Sequence, residues 1–264
     1  MIEMNSSEKD VGFDKLKSRF SRNIYQTDKG KVRLAMVKHD LLLSVPEISS
    51  ERKLKILDAG AGMGQMARWL ADKGHEVVMA DISEEMLDHA RKENKARALD
   101  EKIKIVHAPI QELHAKLSGQ KFDLILLHGV IAWMQQPLEA IACLTSLLTS
   151  EGRMSVLFFN KDKLILKWGI SDQVGNASNG RSSRVGTLTP INPLSFSAVA
   201  EFCRNNHLKI LSKAGIRIFY RFFAKFPLSY HSSIDEYIKL EQQYYRQEPY
   251  ASLGEHTHLV LCHT

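Results

Sequence analysis

A chain of 264 residues with 44% hydrophobic and 25% charged residues has the composition of a globular protein with a full core. Its apolar runs are too short and interrupted for a membrane-spanning helix, and the polar, acidic opening from Met1 to Asp10 lacks the apolar stretch of a signal peptide, so a cytoplasmic location is expected. The net charge of +6 is concentrated: residues 160–225 hold eleven Lys/Arg against three acids, an excess of +8, which suggests a polyanion or acidic substrate met on one side, or a solvated lysine-rich surface.

In chain order, helical spacing predicts a helix over Phe13–Tyr25 and a second that follows Thr27-Asp28-Lys29-Gly30 and runs to about Ser44, ahead of Pro46. Leu54–Asp58 reads as a short buried strand, followed by a glycine-rich turn and an amphipathic helix to Lys73, which Gly74 ends. Glu76–Ala80 is a second strand. Ser83 caps a helix with Met86, Leu87 and Ala90 on one face. Ile103–His107 is a strand, Ile110–Leu117 a short helix, and Phe122–His128 a strand apolar enough to be buried on both faces. Pro137–Leu148 reads as a helix and Met154–Asn160 as a fifth strand.

Residues 161–193, with four glycines and two prolines, form an ordered lid or a mobile loop. A helix (Ser195–Asn206), a strand (Leu208–Phe222), a helix (Ser232–Arg246) and a strand (His256–His263) follow. Strands alternating with helices predict one α/β domain with a mostly parallel sheet of seven strands and helices on both faces. Its parts are a helical extension (1–50), a ligand-binding core (51–160), a substrate-side insertion (161–193) and the C-terminal half of the sheet (194–264). Cys143, Cys203 and Cys262 lie far apart without metal-ligand spacing, so reduced thiols and no metal are expected.

The strongest motif is Asp58-Ala59-Gly60-Ala61-Gly62-Met63-Gly64, directly after a strand and opening a helix. Glycines let the backbone turn tightly and a ligand approach without a Cβ in the way. Nicotinamide-dinucleotide proteins use a related loop, but with G-x-G-x-x-G spacing; here glycine falls at every second position. An acid also stands two residues before the first glycine. It would repel a pyrophosphate and favour the cationic methionine end of S-adenosylmethionine. Asp81 ends the second strand 17 residues after Gly64, where a carboxylate accepts from both ribose hydroxyls. Either Asp alone would also serve as a strand-end helix cap. Together they describe a Rossmann-like methyltransferase of class I.

In that class the segment after the third strand usually presents an acid to the adenine amino group, and here Gln111 takes the place. His128 ends the fourth strand at the carboxyl edge, where ligands of open α/β sheets sit. It touches cofactor or substrate, or is a satisfied strand-end histidine. His256 and His258 share one face of the last strand; two histidines make a poor zinc site, and an exposed strand face is expected. Tyr244, Tyr245 and Tyr250 beside Arg246 form a base-stacking platform or pack a C-terminal helix on the core.

Along nearly its whole length the chain resembles the bacterial tRNA 5-carboxymethoxyuridine methyltransferases. The resemblance rests on Phe20-Ser21-Arg22-Asn23-Ile24-Tyr25, Lys29-Gly30 with Arg33, Leu57-Asp58-Ala59-Gly60, the Leu124–His128 strand and Arg246-Gln247-Glu248-Pro249-Tyr250. It implies transfer of a methyl group from S-adenosylmethionine to the carboxylate of 5-carboxymethoxyuridine at the tRNA wobble position. It also implies cofactor contacts at Arg33, Gly60, Ala61, Asp81, Ile110, Gln111 and His128, to which the motif adds Asp58 and Gly62. Arg22, Tyr25, Arg181, Arg184, Arg246 and Tyr250 are candidates for holding the acidic nucleoside and its RNA. Where relatives carry a dense lysine run, this sequence has Arg181 and Arg184 spaced among Ser, Gly and Asn. A carboxylate is already ionised at pH 7, so no catalytic general base is expected. Two other functions fit parts of the pattern: a small-molecule carboxyl or phenol O-methyltransferase, and a non-catalytic RNA-binding protein on the same fold.

Overall fold

The computed structural model describes residues 27–180, 192–220 and 232–264. The expected helix over 13–25 lies outside them. Helix α1 (Asp28–Ser44) is capped by Thr27, whose hydroxyl accepts from the Gly30 N–H, and ends just ahead of Pro46, which has no N–H to continue the ladder. Seven strands then form one sheet in the order β3-β2-β1-β4-β5-β7-β6. They are β1 (Lys55–Ala59), β2 (Glu76–Asp81), β3 (Ile103–His107), β4 (Phe122–His128), β5 (Leu148–Phe159), β6 (Leu208–Ile216) and β7 (His256–His263). Strands β1 to β5 pair in parallel, and β7 runs antiparallel between β5 and β6. Helices α2 (Gln65–Asp72), α3 (Glu84–Ala96), α4 (Leu113–Lys116) and α5 (Pro137–Thr145) make the crossovers.

The period of two along each strand sorts the core into two halves. Ile56, Leu124, Leu126 and Val260 pack on one face with Val32, Met36 and Leu41 of α1. Leu57, Ile125, Leu127 and Leu259 pack on the other with Ile141 and Leu144 of α5. Because the strand order reverses at β1, a crevice opens between the carboxyl ends of β1 and β4, the place where open α/β sheets hold ligands.

Four expectations are corrected. First, β5 begins at Leu148, opposite Phe122, so the preceding helix stops at Thr145. Second, the described part of 161–193, which the sequence left between an ordered lid and a mobile loop, carries two helices, α6 (Lys161–Ile170) and α7 (Val174–Asn179); the Asn160 side chain caps α6 by accepting from the Asp162 and Lys163 N–H groups at 3.0 and 3.4 Å. Third, after α8 (Phe196–Asn205), β6 stops at Ile216, where Arg217 takes a left-handed conformation with φ 61°. Fourth, His256 and His258 do not line an exposed face. They are 1% and 0% exposed, because β7 is inserted within the sheet and covered on both faces.

Helix α9 (Ile234–Tyr244) starts with a capping box between Ser233 and Glu236. Its Glu241 is fully buried and accepts from the N–H groups of Ile218, Phe219 and Tyr220 at 2.8, 3.0 and 3.3 Å. A short helix, α10 (Tyr250–Leu253), leads into β7. Among the described residues no helix is long and apolar enough to cross a membrane.

Candidate active site

A cavity of about 200 Å³ lies over the carboxyl ends of β1, β2 and β4. Every expected cofactor residue lines it: Arg33, Asp58, Gly60, Ala61, Gly62, Asp81, Ile110, Gln111 and His128. The glycine loop is held against β2, since the Gly60 and Ala61 N–H groups both donate to the Ala80 carbonyl at 2.8 and 3.0 Å. Gly60 has φ +74°, and a Cβ there would collide with the Val130 side chain. Only glycine satisfies both the backbone angle and the space.

The two acids of the site differ in their surroundings. Asp81 accepts from the Gly62 N–H through Oδ2 and the Ser83 N–H through Oδ1, each at 2.8 Å. It therefore ties the glycine loop to the start of α3, and a carboxylate that accepts about four hydrogen bonds can do this and still meet hydroxyls. Asp58 is 3% exposed. Burial, reinforced by the charge of Asp81, pushes its carboxyl up to about 7. That is an acid whose ionised form lacks a cation, which a methionine ammonium group would supply.

His128 leaves β4 into the same cavity. Its Nε2 lies 2.8 Å from Ser155 Oγ, while its Nδ1 is buried with no hydrogen-bond partner among the described residues. Burial above all holds the ring well below the ordinary histidine range, so it is neutral. The walls are apolar: Ile82, Met86, Pro109, Ile110, Val130 and Met134. Trp133 and Phe159 meet edge to face at 6.4 Å and also line the cavity. Glycine cradle, buried acid, a second acid at the end of β2 and apolar walls together fit S-adenosylmethionine.

Sequence reading passed over Trp133 and Phe159; their place after β4 and at the end of β5 was the available signal. It also missed Asp40 and Ser155, which carry no local signal at all, and read His258 only as part of an exposed strand face.

The candidates for substrate contact fare differently. Arg22, Tyr25, Arg181 and Arg184 lie outside the described residues. Arg246 and Tyr250 do not line the cavity. The Arg246 guanidinium is occupied by Asp40 (Nε to Oδ1, 2.7 Å) and by Ser44 Oγ at 2.6 Å, so it is an internal cross-link between α1 and the C-terminal segment. Tyr250 packs on Phe219 and Tyr244, with ring centroids 5.6 and 4.8 Å away, and Tyr245 is buried. The tyrosines therefore pack the C-terminal segment against the core. Among the described residues no three His, Cys, Asp or Glu side chains are grouped to hold a metal.

Residues 57–156 match the family described as "Methyltransferase domain". The chain is 32% identical over 255 residues to the tRNA 5-carboxymethoxyuridine methyltransferase of Escherichia coli (strain K12), covering 95% of each chain. Similarity to the malonyl-[acyl-carrier protein] O-methyltransferase of Enterobacter lignolyticus (strain SCF1) is 28% over 117 residues, 44% of this chain and 43% of that one. In fold it matches magnesium protoporphyrin IX methyltransferase from Synechocystis PCC 6803, solved with bound SAH, with a TM-score of 0.61 at 16% identity, covering 96% of each chain. With the glycine loop, the paired acids and full-length similarity in hand, the chain is an S-adenosylmethionine-dependent methyltransferase and belongs to the tRNA 5-carboxymethoxyuridine methyltransferase family.

Proposed function

We propose that this enzyme methylates the carboxylate of 5-carboxymethoxyuridine at the tRNA wobble position, producing the methyl ester. The observation that carries the proposal is the extent of the similarity. It spans 95% of both chains, and so includes the elements outside the cofactor-binding core that would face a substrate. The excess of positive charge in 160–225 adds a reason for an anionic partner.

The chemistry asks little of proton-transfer groups. A carboxylate with a pKa of ~4 is already the nucleophile at pH 7, so no base is needed. Bound S-adenosylmethionine supplies an electrophilic methyl group on a sulfonium. The chain's residues hold one end of the reaction and align the other. The Gly60–Gly64 loop, Asp58 and Asp81 hold the cofactor, Ile110 and Gln111 border the adenine, and Arg33 and His128 stand at the β4 side. Placing the nucleophilic oxygen in line with the methyl carbon is a positioning task that supplies roughly 7–11 kcal/mol.

An arginine gripping both carboxylate oxygens would quench the nucleophile, so one oxygen is held and one left free. Arg22, Tyr25, Arg181 and Arg184 are proposed for that grip and for the RNA. Arg246 is already engaged by Asp40. Methylation removes the substrate's charge and with it the charge-assisted bond, which favours release.

The test is incubation with methyl-labelled cofactor and bulk bacterial tRNA, followed by digestion to nucleosides. Label in a base-labile ester of a wobble uridine is expected. Label in an alkali-stable position, or only in molecules that survive ribonuclease treatment, would overturn the assignment.

A further inference from the structure

Behind His128 a line of polar side chains runs through the core to the buried face of α1. Ser155 Oγ lies 2.8 Å from His128 Nε2 and 2.6 Å from His258 Nε2. His258 Nδ1 lies 2.5 Å from Asp40 Oδ2, and Arg246 Nε lies 2.7 Å from Asp40 Oδ1. Asp40, Ser155 and His258 are each 0% exposed. The sheet register explains the meeting: His128 on β4 and His258 on β7 both stand opposite Leu157 of β5. Ser155, two residues earlier on the same face, sits between them.

The proton positions along this line follow from donor and acceptor counting. A carboxylate only accepts, so His258 carries a proton on Nδ1. The Asp40 charge is already balanced by Arg246, and a neutral imidazole keeps this buried group uncharged, avoiding the desolvation of another ion. His258 Nε2 is then a lone pair and must accept the single proton of Ser155. The Ser155 oxygen in turn accepts from His128 Nε2–H. His128 Nδ1 is left as a lone pair, and that is the buried nitrogen without a partner.

We propose that Asp40, His258 and Ser155 are positioning residues that fix the tautomer of His128 at the cavity wall, so that its Nδ1, covered in the ligand-free protein, serves as an acceptor for the ammonium group once the methyl donor seats and the ring shifts toward it. Asp58 pairs with Leu126, two residues before His128 on the neighbouring strand, so the lone pair and the buried acid share one face. Two acceptors together suit a cation and repel a carboxylate. The inference rests on the cavity being the methyl-donor site and is independent of which acceptor is methylated.

Asp40→Asn tests it with one isosteric change. Arg246 can only donate, so it retains the new carbonyl oxygen, and the amide NH2 turns to His258. His258 Nδ1 must then accept, every proton along the line reverses, and His128 presents N–H to the cavity. Long-range 1H–15N correlation spectra of histidine-labelled protein are expected to show His128 protonated on Nε2 in the wild type and on Nδ1 in Asp40→Asn. S-adenosylhomocysteine should bind the variant roughly 10- to 100-fold more weakly, the scale of one hydrogen bond to a charged group. 5′-Methylthioadenosine, which lacks the amino-acid end, should bind both proteins alike.

A wild-type His128 protonated on Nδ1, or an unchanged tautomer in Asp40→Asn, overturns the relay. Equal losses for both ligands overturn the ammonium assignment. If Asp40→Asn does not fold, Ser155→Ala cuts the line at its middle and should leave His128 a mixture of tautomers; a single unchanged tautomer there counts against the relay. Failure of the wild type to bind either ligand would instead refute the cavity as the cofactor site, while the spectra still report on the relay.

Discussion

Asp58 and Asp81 close the carboxyl ends of the neighbouring parallel strands β1 and β2, and the charge of Asp81 bears on Asp58. Asp81 spends its charge on the Gly62 and Ser83 N–H groups. Asp58, buried beside it, is pushed up to about 7. One carboxylate therefore organises the loop, and the other is held ready for a cation.

The first prediction concerns pH. The folded-state value of Asp58 is raised, so in the ligand-free protein its contribution to stability is present at low pH and lost as pH rises through about 7. A bound ammonium group favours the ionised form, so binding releases a proton below that value. Affinity for S-adenosylhomocysteine should rise by up to about tenfold per pH unit towards pH ~7 and then level off. Calorimetric titration across this range checks it. In Asp58→Asn the affinity should be lower and this pH dependence absent; a wild-type affinity that does not change with pH would remove Asp58 from the ammonium site.

Asp81→Ala should weaken cofactor binding by roughly 1.5–3 kcal/mol, the range for hydrogen bonds to a charged acceptor. The fold should persist, because Asp81 stands at a strand end, while the Gly62 segment loses its tie. Binding and thermal unfolding measured on the same variant separate the two effects. Wild-type affinity would show that Asp81 does not touch the ligand.

Gly60→Ala should destabilise by about 1–3 kcal/mol, because the new Cβ meets Val130 and a left-handed backbone is strained for any other residue. Adding Val130→Ala makes room for the Cβ without relieving the backbone. Denaturant unfolding of the double variant should therefore recover only part of the loss. Full recovery would show that steric contact alone explains the glycine.

Glu241→Gln replaces one of two acceptor oxygens by a donor, facing N–H groups of the segment that follows β6. A loss of about 1–3 kcal/mol is expected, the cost of leaving buried donors unmet. Urea unfolding measures it, and an unchanged midpoint would show that this segment is anchored elsewhere.

Charge reversal of Arg181 and Arg184 to Glu should raise the KM for tRNA and leave cofactor affinity unchanged. The motive is the local +8 in residues 160–225. The wild-type KM should also rise with salt, through counterion release. Normal kinetics in the double variant would make the basic stretch a solvated surface only.

The amino-acid sequence by itself determined the parallel core, the helix start at Glu84, and the residues from Gly60 to His128 that line the cavity. Each of these is written in a short window: alternation with a period of two, a cap, or glycine where φ is positive. The fate of His256 and His258 was decided elsewhere. Their alternation reads as an exposed face, but β7 enters between β5 and β6, and that insertion depends on pairings far apart in the chain. Arg246 likewise reads as a free anion-binding group until Asp40, 206 residues away, occupies it. The line from Asp40 through His258 and Ser155 to His128 has no local pattern, since its first link joins residues 218 positions apart. Local stereochemistry selects elements; which side chains meet is set by strand order and by burial, where each unpaired polar group must find a partner.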